Sequence, residues 1–536
     1  MRFADTLPAT LRDAGAFLRA ELAPFPGRVN VMLRALLTSA IVIVASLTLE
    51  VPELPLSLLV VFYVTQSNVV ITRLVGLMFV VGSTLAIGAS ILLLKFTFDY
   101  PLIRIVVASA LFFGSVYLMR VLKIGIVFFI VAIVIIYVQT FVDQTDQAEL
   151  LIRAVLWVWV AVNYPIALTL VINSLLLPAE PQRQLKAEFE RQLRAVDAHL
   201  TYLIDGGASS APTPTPVSTP APAPAPMPMP APAPIALAEV QKGALTLQKL
   251  LKFAAMRDAG YRDTRARHLA AIATVTRLHL AASELPIGAR RLTAAQRPML
   301  DELRANCRAL AAALAADAPY RIERTAPPDA ANAPDTVVEM QRALHALSDF
   351  GARGESAGKP PAQEPMILPD AWTNPAYARF SLKTLLAVLV SYVFYNATDW
   401  QGIHTIMLTC LIVALPSLGA STQRALLRVA GALGGTALAL CMVVFVMPQL
   451  DSVVGLLLMA LPVAALAAWI AAGSERIGYA GVQLLFTFSL AVLGQFGPTT
   501  NLTEIRDRMV GILLGVAIAT FVQMSFWRRE RATRCA

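Results

Sequence analysis

Long uncharged stretches alternate with short polar punctuation over most of this chain. Apolar runs occupy roughly residues 31–49, 55–70, 74–94, 102–119, 124–142 and 154–176. The interruptions carry turn-forming and acidic residues: EVPELP at 50–55, DYP at 99–101 and DQTDQAE at 143–149. The pattern then changes. Through residues 178–376, segments such as LKAEFERQLRAVDAHLTYLI and MLDELRANCRALAAALAAD place apolar residues three and four apart. That spacing puts one apolar stripe on each helix and predicts a soluble helical bundle. Apolar runs resume at roughly 379–397, 403–419, 426–447, 452–472, 477–494 and 509–527. An uncharged run of about 18 residues or more can cross a bilayer as a helix. The prediction is an all-α polytopic membrane protein with twelve spans, six on each side of a cytoplasmic helical domain.

The predicted division is an N-terminal cytoplasmic segment (1–28), a first transmembrane repeat (29–177), the helical domain (178–376), a second repeat (377–528) and a basic tail (529–536). Within the central domain lies APTPTPVSTPAPAPAPMPMPAPAPI, residues 211–235. Alternating proline removes backbone donors and favours polyproline II, so this reads as a spacer.

Composition agrees with a membrane chain. Of 536 residues 57% are hydrophobic and 15% charged, against roughly 25% charged in soluble domains. The net charge of +9 is then a topology signal, because Lys and Arg collect on the cytoplasmic side. No basic stretch is interleaved with aromatics in a soluble segment, which argues against nucleic-acid binding. Cys307, Cys410, Cys441 and Cys535 form no CxxC pair, so neither zinc nor redox chemistry is indicated. Residues 1–28 lack the apolar core of a secretory signal.

Basic residues near the heads of the apolar runs recur in order. Arg34 pairs with Lys383, Arg73 with Arg428, Lys123 with Arg476, and Arg153 with Arg508. The steps after Arg73 are 50 and 30; those after Arg428 are 48 and 32. This suggests an internal repeat. Six spans is an even number, so both halves enter the membrane in the same sense, a parallel repeat. The basic ends favour both termini and the central domain in the cytoplasm.

The segment DWQGIHTIMLTCLIVALPSLGASTQRALLRVAGALGG, residues 399–435, combines a Trp-Gly turn, a short apolar helix, small residues and RxxG. With the two six-span halves around a helical block, it resembles the fusaric acid resistance (FUSC) and aromatic acid exporter family. The central block and its Pro-Ala spacer carry no motif that matches. The resemblance implies an inner-membrane efflux protein exporting aromatic or other organic acids, or drugs. It also implies a periplasmic adaptor and an outer-membrane channel as partners in a tripartite system. A passive organic-anion channel, as in the distantly similar plant malate channels, and a membrane-anchored scaffold are the alternatives.

The candidate chemistry is sparse. GARGESAGKP at 351–360 misses the P-loop pattern, because Arg353 holds the first glycine position and Pro360 follows the lysine. No nucleophile triad or metal-ligand spacing is visible, so neither an enzyme nor a cofactor is expected. Arg73, Lys123, Arg428 and Arg476 fall at predicted cytoplasmic helix ends. They are either interfacial anchors or a cationic vestibule for anionic substrates, since a guanidinium can engage both carboxylate oxygens. Arg153 and Arg508 fall at outer ends. There they either join that substrate path or pair locally, with Glu149 or Asp146 and with Glu504 or Asp507. His404 is the single histidine of the membrane part and the candidate for proton coupling. Gly431-x-x-x-Gly435, Gly511-x-x-x-Gly515 and GSTLAIGAS at 82–90 are small-residue faces for close helix packing. On that ground homo-oligomerisation is expected.

Overall fold

The computed structural model describes residues 9–25, 27–142, 145, 147–206, 232–285, 297–322, 334–352, 365–495 and 502–527. The Pro-Ala spacer through residue 231, the P-loop-like GARGESAGKP beyond Ala352, Asp146 and the basic tail lie outside the described residues. Among the described residues the regular structure is helical, with a single isolated bridge between Leu122 and Ile367. The chain divides into two compact units, Met1–Pro178 with Gln363–Ala536, and Ala179–Ala362.

The first unit holds α1 (Ala9–Leu22), α2 (Arg28–Thr48), α3 (Leu54–Val64), α4 (Val69–Thr97), α5 (Pro101–Val121), α6 (Gly125–Val142) and α7 (Ala148–Leu175). The second unit holds α8 (Pro181–Gly206), α9 (Leu237–Arg257), α10 (Ala259–Asp263), α11 (Arg265–Ser283), α12 (Arg297–Ala315) and α13 (Asp335–Ala352). The chain returns to the first unit with α14 (Pro375–Ala397), α15 (Thr405–Val413), α16 (Leu418–Phe445), α17 (Val453–Ala471), α18 (Gly478–Val492) and α19 (Leu502–Trp527).

Six apolar helices stand on each side of the second unit, but they are not twelve full spans. Nine helices among the described residues are long and apolar enough to cross a membrane. α3 has 11 residues, α15 has 9 and α18 has 15. At 1.5 Å per residue these reach about 16, 14 and 22 Å, short of a hydrocarbon core of about 30 Å. The apolar runs at 55–70 and 403–419 are cut by capping chemistry. The Asn68 side chain accepts from the Ile71 N–H at 3.0 Å, and that of Ser417 from the Ala420 N–H at 3.2 Å. Each starts a new helix earlier than expected: α4 begins at Val69 rather than near 74, and α16 at Leu418 rather than near 426.

Packing partners recur between the two sets of six. α4 lies against α6 and α7, and α16 against α18 and α19. α3 packs on α7 and α18, while α15 packs on α19 and α6. α2 meets α17, and α14 meets α5. The glycine faces serve these contacts inside the chain. A Cβ on Gly431 or Gly435 would strike the carbonyl oxygens of Ala480 and Leu484 on α18. One on Gly511 or Gly515 would meet Thr405 or Ile406 of α15, and one on Gly82 would sit 3.1 Å from the Val127 oxygen on α6. Gly82, Gly431, Gly435, Gly511 and Gly515 thus serve packing within the chain, whereas Gly88 of the 82–90 stretch faces open space.

Residues 365–374 belong with the first unit rather than with the helical domain. The Lys123 N–H donates to the Met366 oxygen at 3.1 Å, and the Leu368 N–H to the Val121 oxygen at 3.0 Å. Tyr117 adds its hydroxyl to the Ala371 carbonyl at 2.6 Å. The second unit is a helical bundle as its periodicity predicts. Leu185, Phe189, Leu193, Val196, Leu200 and Ile204 form one buried stripe of α8. They pack against Leu247 and Leu251, Val275 and Leu278, Leu303 and Leu310, and Met340 and Leu344. Each buried side chain of this size contributes about 1.5–3 kcal/mol.

Candidate functional site

Arg428 is buried among the helices of the first unit. It lies ten residues into α16, about 15 Å from its start, and is 2% exposed. Its NH1 donates to the Gln483 Oε1 at 2.8 Å and to the Tyr479 hydroxyl at 3.1 Å. Its Nε and NH2 donate to the Thr409 Oγ1 at 3.2 and 3.0 Å. Tyr479 and Gln483 are four apart on α18 and share a face. Gly431, one turn beyond the arginine, lets α18 close on it. The Thr409 hydroxyl donates its own proton to the Thr405 carbonyl at 2.8 Å, which leaves the oxygen to accept. One turn before, Arg424 lies over the Tyr479 ring, 3.8 Å from its centroid. Tyr63 of α3 is within electrostatic reach of Arg424, Arg428 and Tyr479. One polar cluster thus draws on α3, α15, α16 and α18.

Among the described residues Arg428 makes no ion pair. Burying a charge costs several kcal/mol, and hydrogen bonds to a charged group return about 1.5–3 kcal/mol each. Four of the five guanidinium hydrogens are taken by neutral groups. One guanidinium hydrogen remains, and no acidic side chain among the described residues pairs with the charge.

Arg34 on α2 is a second buried guanidinium, near the end of the short helix α3. It is fully buried. Its NH1 donates to the Asn173 Oδ1 at 2.6 Å, its NH2 to the Gln66 carbonyl at 3.0 Å, and its Nε to the Asn30 carbonyl at 3.4 Å. Gln66 follows the end of α3, so this guanidinium meets the negative end of a helix. Lys383, its expected counterpart, is half-buried on α14.

The pairing of Arg73 with Arg428 needs correction. Counted from the caps Asn68 and Ser417, Gly82 and Gly431 both fall at position fourteen, and both face a helix backbone. Arg428 is at position eleven, and Phe79 occupies that place in the first half. Arg73 is at position five, is exposed, and donates to the Ser174 hydroxyl at 3.2 Å. Lys123 and Arg476 keep their correspondence, each two residues before a helix that begins with glycine, and both are exposed. Arg73, Lys123 and Arg476 are exposed, whereas Arg428 is 2% exposed.

Arg153 and Arg508 each pair with the glutamate one turn before. Arg153 meets Glu149 at 2.6 Å with both exposed, and Arg508 meets Glu504 at 3.1 Å with both half-buried. Asp507 instead pairs with Arg506 at 2.8 Å. His404 is half-buried, with Nδ1 3.2 Å from the Gln401 carbonyl, and lies in the field of Arg508 and Glu504. Neither Arg508 nor His404 is part of the Arg428 cluster. Sequence reasoning missed Thr409, Tyr479, Gln483, Arg424 and Tyr63. The one legible trace was the four-residue spacing of Arg424 with Arg428 and of Tyr479 with Gln483.

A bundle of apolar helices, three of them short, with guanidinium groups buried against neutral partners among the described residues, defines a polytopic membrane protein. Residues 165–535 match the model of the fusaric acid resistance protein family, and the chain belongs to that family: it is a membrane efflux and resistance transporter. Multidrug resistance protein MdtO of Escherichia coli strain K12 is 34% identical, over 98% of this chain and 74% of that protein. MdtO of Shigella flexneri is 34% identical, over 98% and 73%. No solved structure matches.

Proposed function

We propose that this chain is an inner-membrane exporter of organic acids and drugs whose anion-binding group is Arg428. The observation that carries this reading is a guanidinium 2% exposed and held only by neutral partners. A carboxylate arriving there gains a charge-assisted contact in a low-dielectric setting. Arg34 supplies a second, weaker station. The family's name supports aromatic carboxylates such as fusaric acid as one substrate class, and the name of the MdtO relatives supports drugs as another. The two sets of six helices act as parallel repeats, with the termini and the helical domain in the cytoplasm. A periplasmic adaptor and an outer-membrane channel complete the path, and His404 carries the coupling proton.

The test measures resistance, normalised to membrane protein level, in cells carrying Arg428→Met and Arg428→Lys. Tolerance of an aromatic acid should fall while tolerance of a neutral drug is kept. Parallel loss for both compounds, following protein level, refutes the assignment.

A further inference from the structure

Arg28, at the start of α2, is fully buried and takes no part in the clusters around Arg428 and Arg34. Its Nε and NH2 donate to the Trp469 carbonyl at 2.9 and 2.6 Å, and its NH1 donates to the Glu21 and Ala23 carbonyls at 2.8 and 2.9 Å. The Trp469 indole Nε1 donates to the Leu22 carbonyl at 3.1 Å, and the guanidinium carbon lies 4.5 Å from the centroid of that ring. The last carbonyls of a helix have no partner within it. Those at the end of α1 are met by side chains of α2 and α17. Upstream of this clamp, Gly15 to Ala20 are all exposed. Phe17, Leu18, Leu22 and Phe25 are 42, 50, 37 and 47% exposed. We propose that α1 is an interfacial helix, with its Phe17, Leu18 and Leu22 face immersed in the phospholipid bilayer at the surface where α2 enters.

Depth, face and continuity favour lipid over a protein partner. α2 and α17 are both long and apolar enough to cross a membrane. α2 begins at Arg28 and α17 ends at Ala471. The contact of Arg28 with Trp469 therefore brings the ends of two spans and the end of α1 to one level, and tryptophan is enriched at membrane–water interfaces. At about 100° per residue, Phe17, Leu18 and Leu22 fall within an arc of about 140°, with Ala16 and Ala20 on the other side. That is the pattern of a helix lying in the plane of a bilayer surface. Glu21 shares the arc, but it is half-buried and lies in the field of Arg28. Beyond the left-handed turn at Gly27 (φ 91°), exposed Val29, Leu33, Leu37, Ile41 and Val44 form the outward stripe that α2 presents to acyl chains. Arg12, Asp13, Arg19 and Glu21 of α1 sum to zero charge, so the attraction is apolar and needs no anionic lipid. The inference rests on α2 and α17 crossing the bilayer, not on Arg428 or on export.

Spin labels on single introduced cysteines test this in the full chain, reconstituted in phosphatidylcholine nanodiscs. Cys441 and Cys535 are replaced by serine, while Cys307 and Cys410 are buried. Collision of each label with oxygen, which concentrates among acyl chains, is compared with collision with a water-soluble nickel chelate. Labels at Leu18→Cys and Leu22→Cys should favour oxygen, and labels at Ala16→Cys and Ala20→Cys the chelate. Phe17→Glu with Leu22→Glu should abolish the oxygen preference at Leu18→Cys. The bundle should tolerate these changes, because the clamp holds α1 by its backbone carbonyls. Arg428→Met should leave the pattern unchanged, so failure here and failure of the export reading are distinguishable. Chelate preference at all four positions overturns the inference. So does a label at position 18 or 22 shielded from both reagents, which would put a protein partner or a second copy on this face.

Discussion

Replacing Arg428 by methionine separates the possible duties of a buried guanidinium. The substitution keeps the apolar stem and removes four hydrogen bonds, which strands the Tyr479 hydroxyl and the Gln483 amide. Each stranded group costs about 1–3 kcal/mol. Against this, the variant no longer buries a charge, itself a penalty of several kcal/mol. The two terms oppose, so protein level should change little. Substrate handling has no such offset. One carboxylate contact to a partly desolvated guanidinium is worth about 1.5–3 kcal/mol, or roughly ten- to a hundredfold in apparent affinity. The half-maximal concentration for export of an aromatic acid from loaded vesicles should rise by that factor, while a neutral drug shows little change. Arg428→Lys should recover part of the loss, because an ammonium keeps the charge but has only three donors and cannot hold Thr409, Tyr479 and Gln483 and still offer one to a carboxylate. Arg73→Ala should be nearly silent, since its side chain is exposed and makes one long contact. Equal effects of Arg73→Ala and Arg428→Met, or equal losses for acid and neutral compounds, would refute the reasoning.

Gly435→Val should destabilise the membrane unit by about 1–3 kcal/mol, in the manner of an overpacked core, because its Cβ would press on the Leu484 carbonyl and Thr487; detergent melting of the purified chain reads this. In the helical unit, burial and then the nearby Arg191 hold the His279 imidazole below its ordinary value, against weaker opposing pulls from Glu239 and Glu188. Folding therefore favours the neutral ring, and stability falls as the pH drops below about 6.5, where the unfolded chain takes up the proton first. His279→Gln should flatten the melting temperature between about pH 7 and pH 5, and an unchanged slope would show that another group dominates. Cysteines placed at 211–235 should resist impermeant thiol reagents in intact cells; ready labelling would invert the proposed topology. Vesicle flux of an aromatic acid should require a proton gradient and fall in His404→Gln, whereas equal flux without a gradient would favour a passive channel.

Much of this protein was written in its linear pattern. Long uncharged runs leave no choice but helices in a bilayer, because every backbone polar group must be satisfied within the segment. The period of three and four in α8 to α13 likewise fixed a helical bundle, since burial of one stripe is local to each helix. The recurrence of basic residues pointed to two related sets of six. What the pattern could not decide was depth. Hydropathy reads 55–70 and 403–419 as continuous, but the caps at Asn68 and Ser417 end the short helices there, so only the structure shows α3 and α15 stopping part-way. Depth then separates arginines that look alike in sequence. Arg73 lies early on α4 and faces outward, whereas Arg428 is a turn and a half deeper on α16 and faces α18. Its partners come from Thr409, nineteen residues back, and from Tyr479 and Gln483, more than fifty ahead. Charge can be counted along a chain, but its worth depends on what surrounds it, and those neighbours are assembled only when α15, α16 and α18 pack.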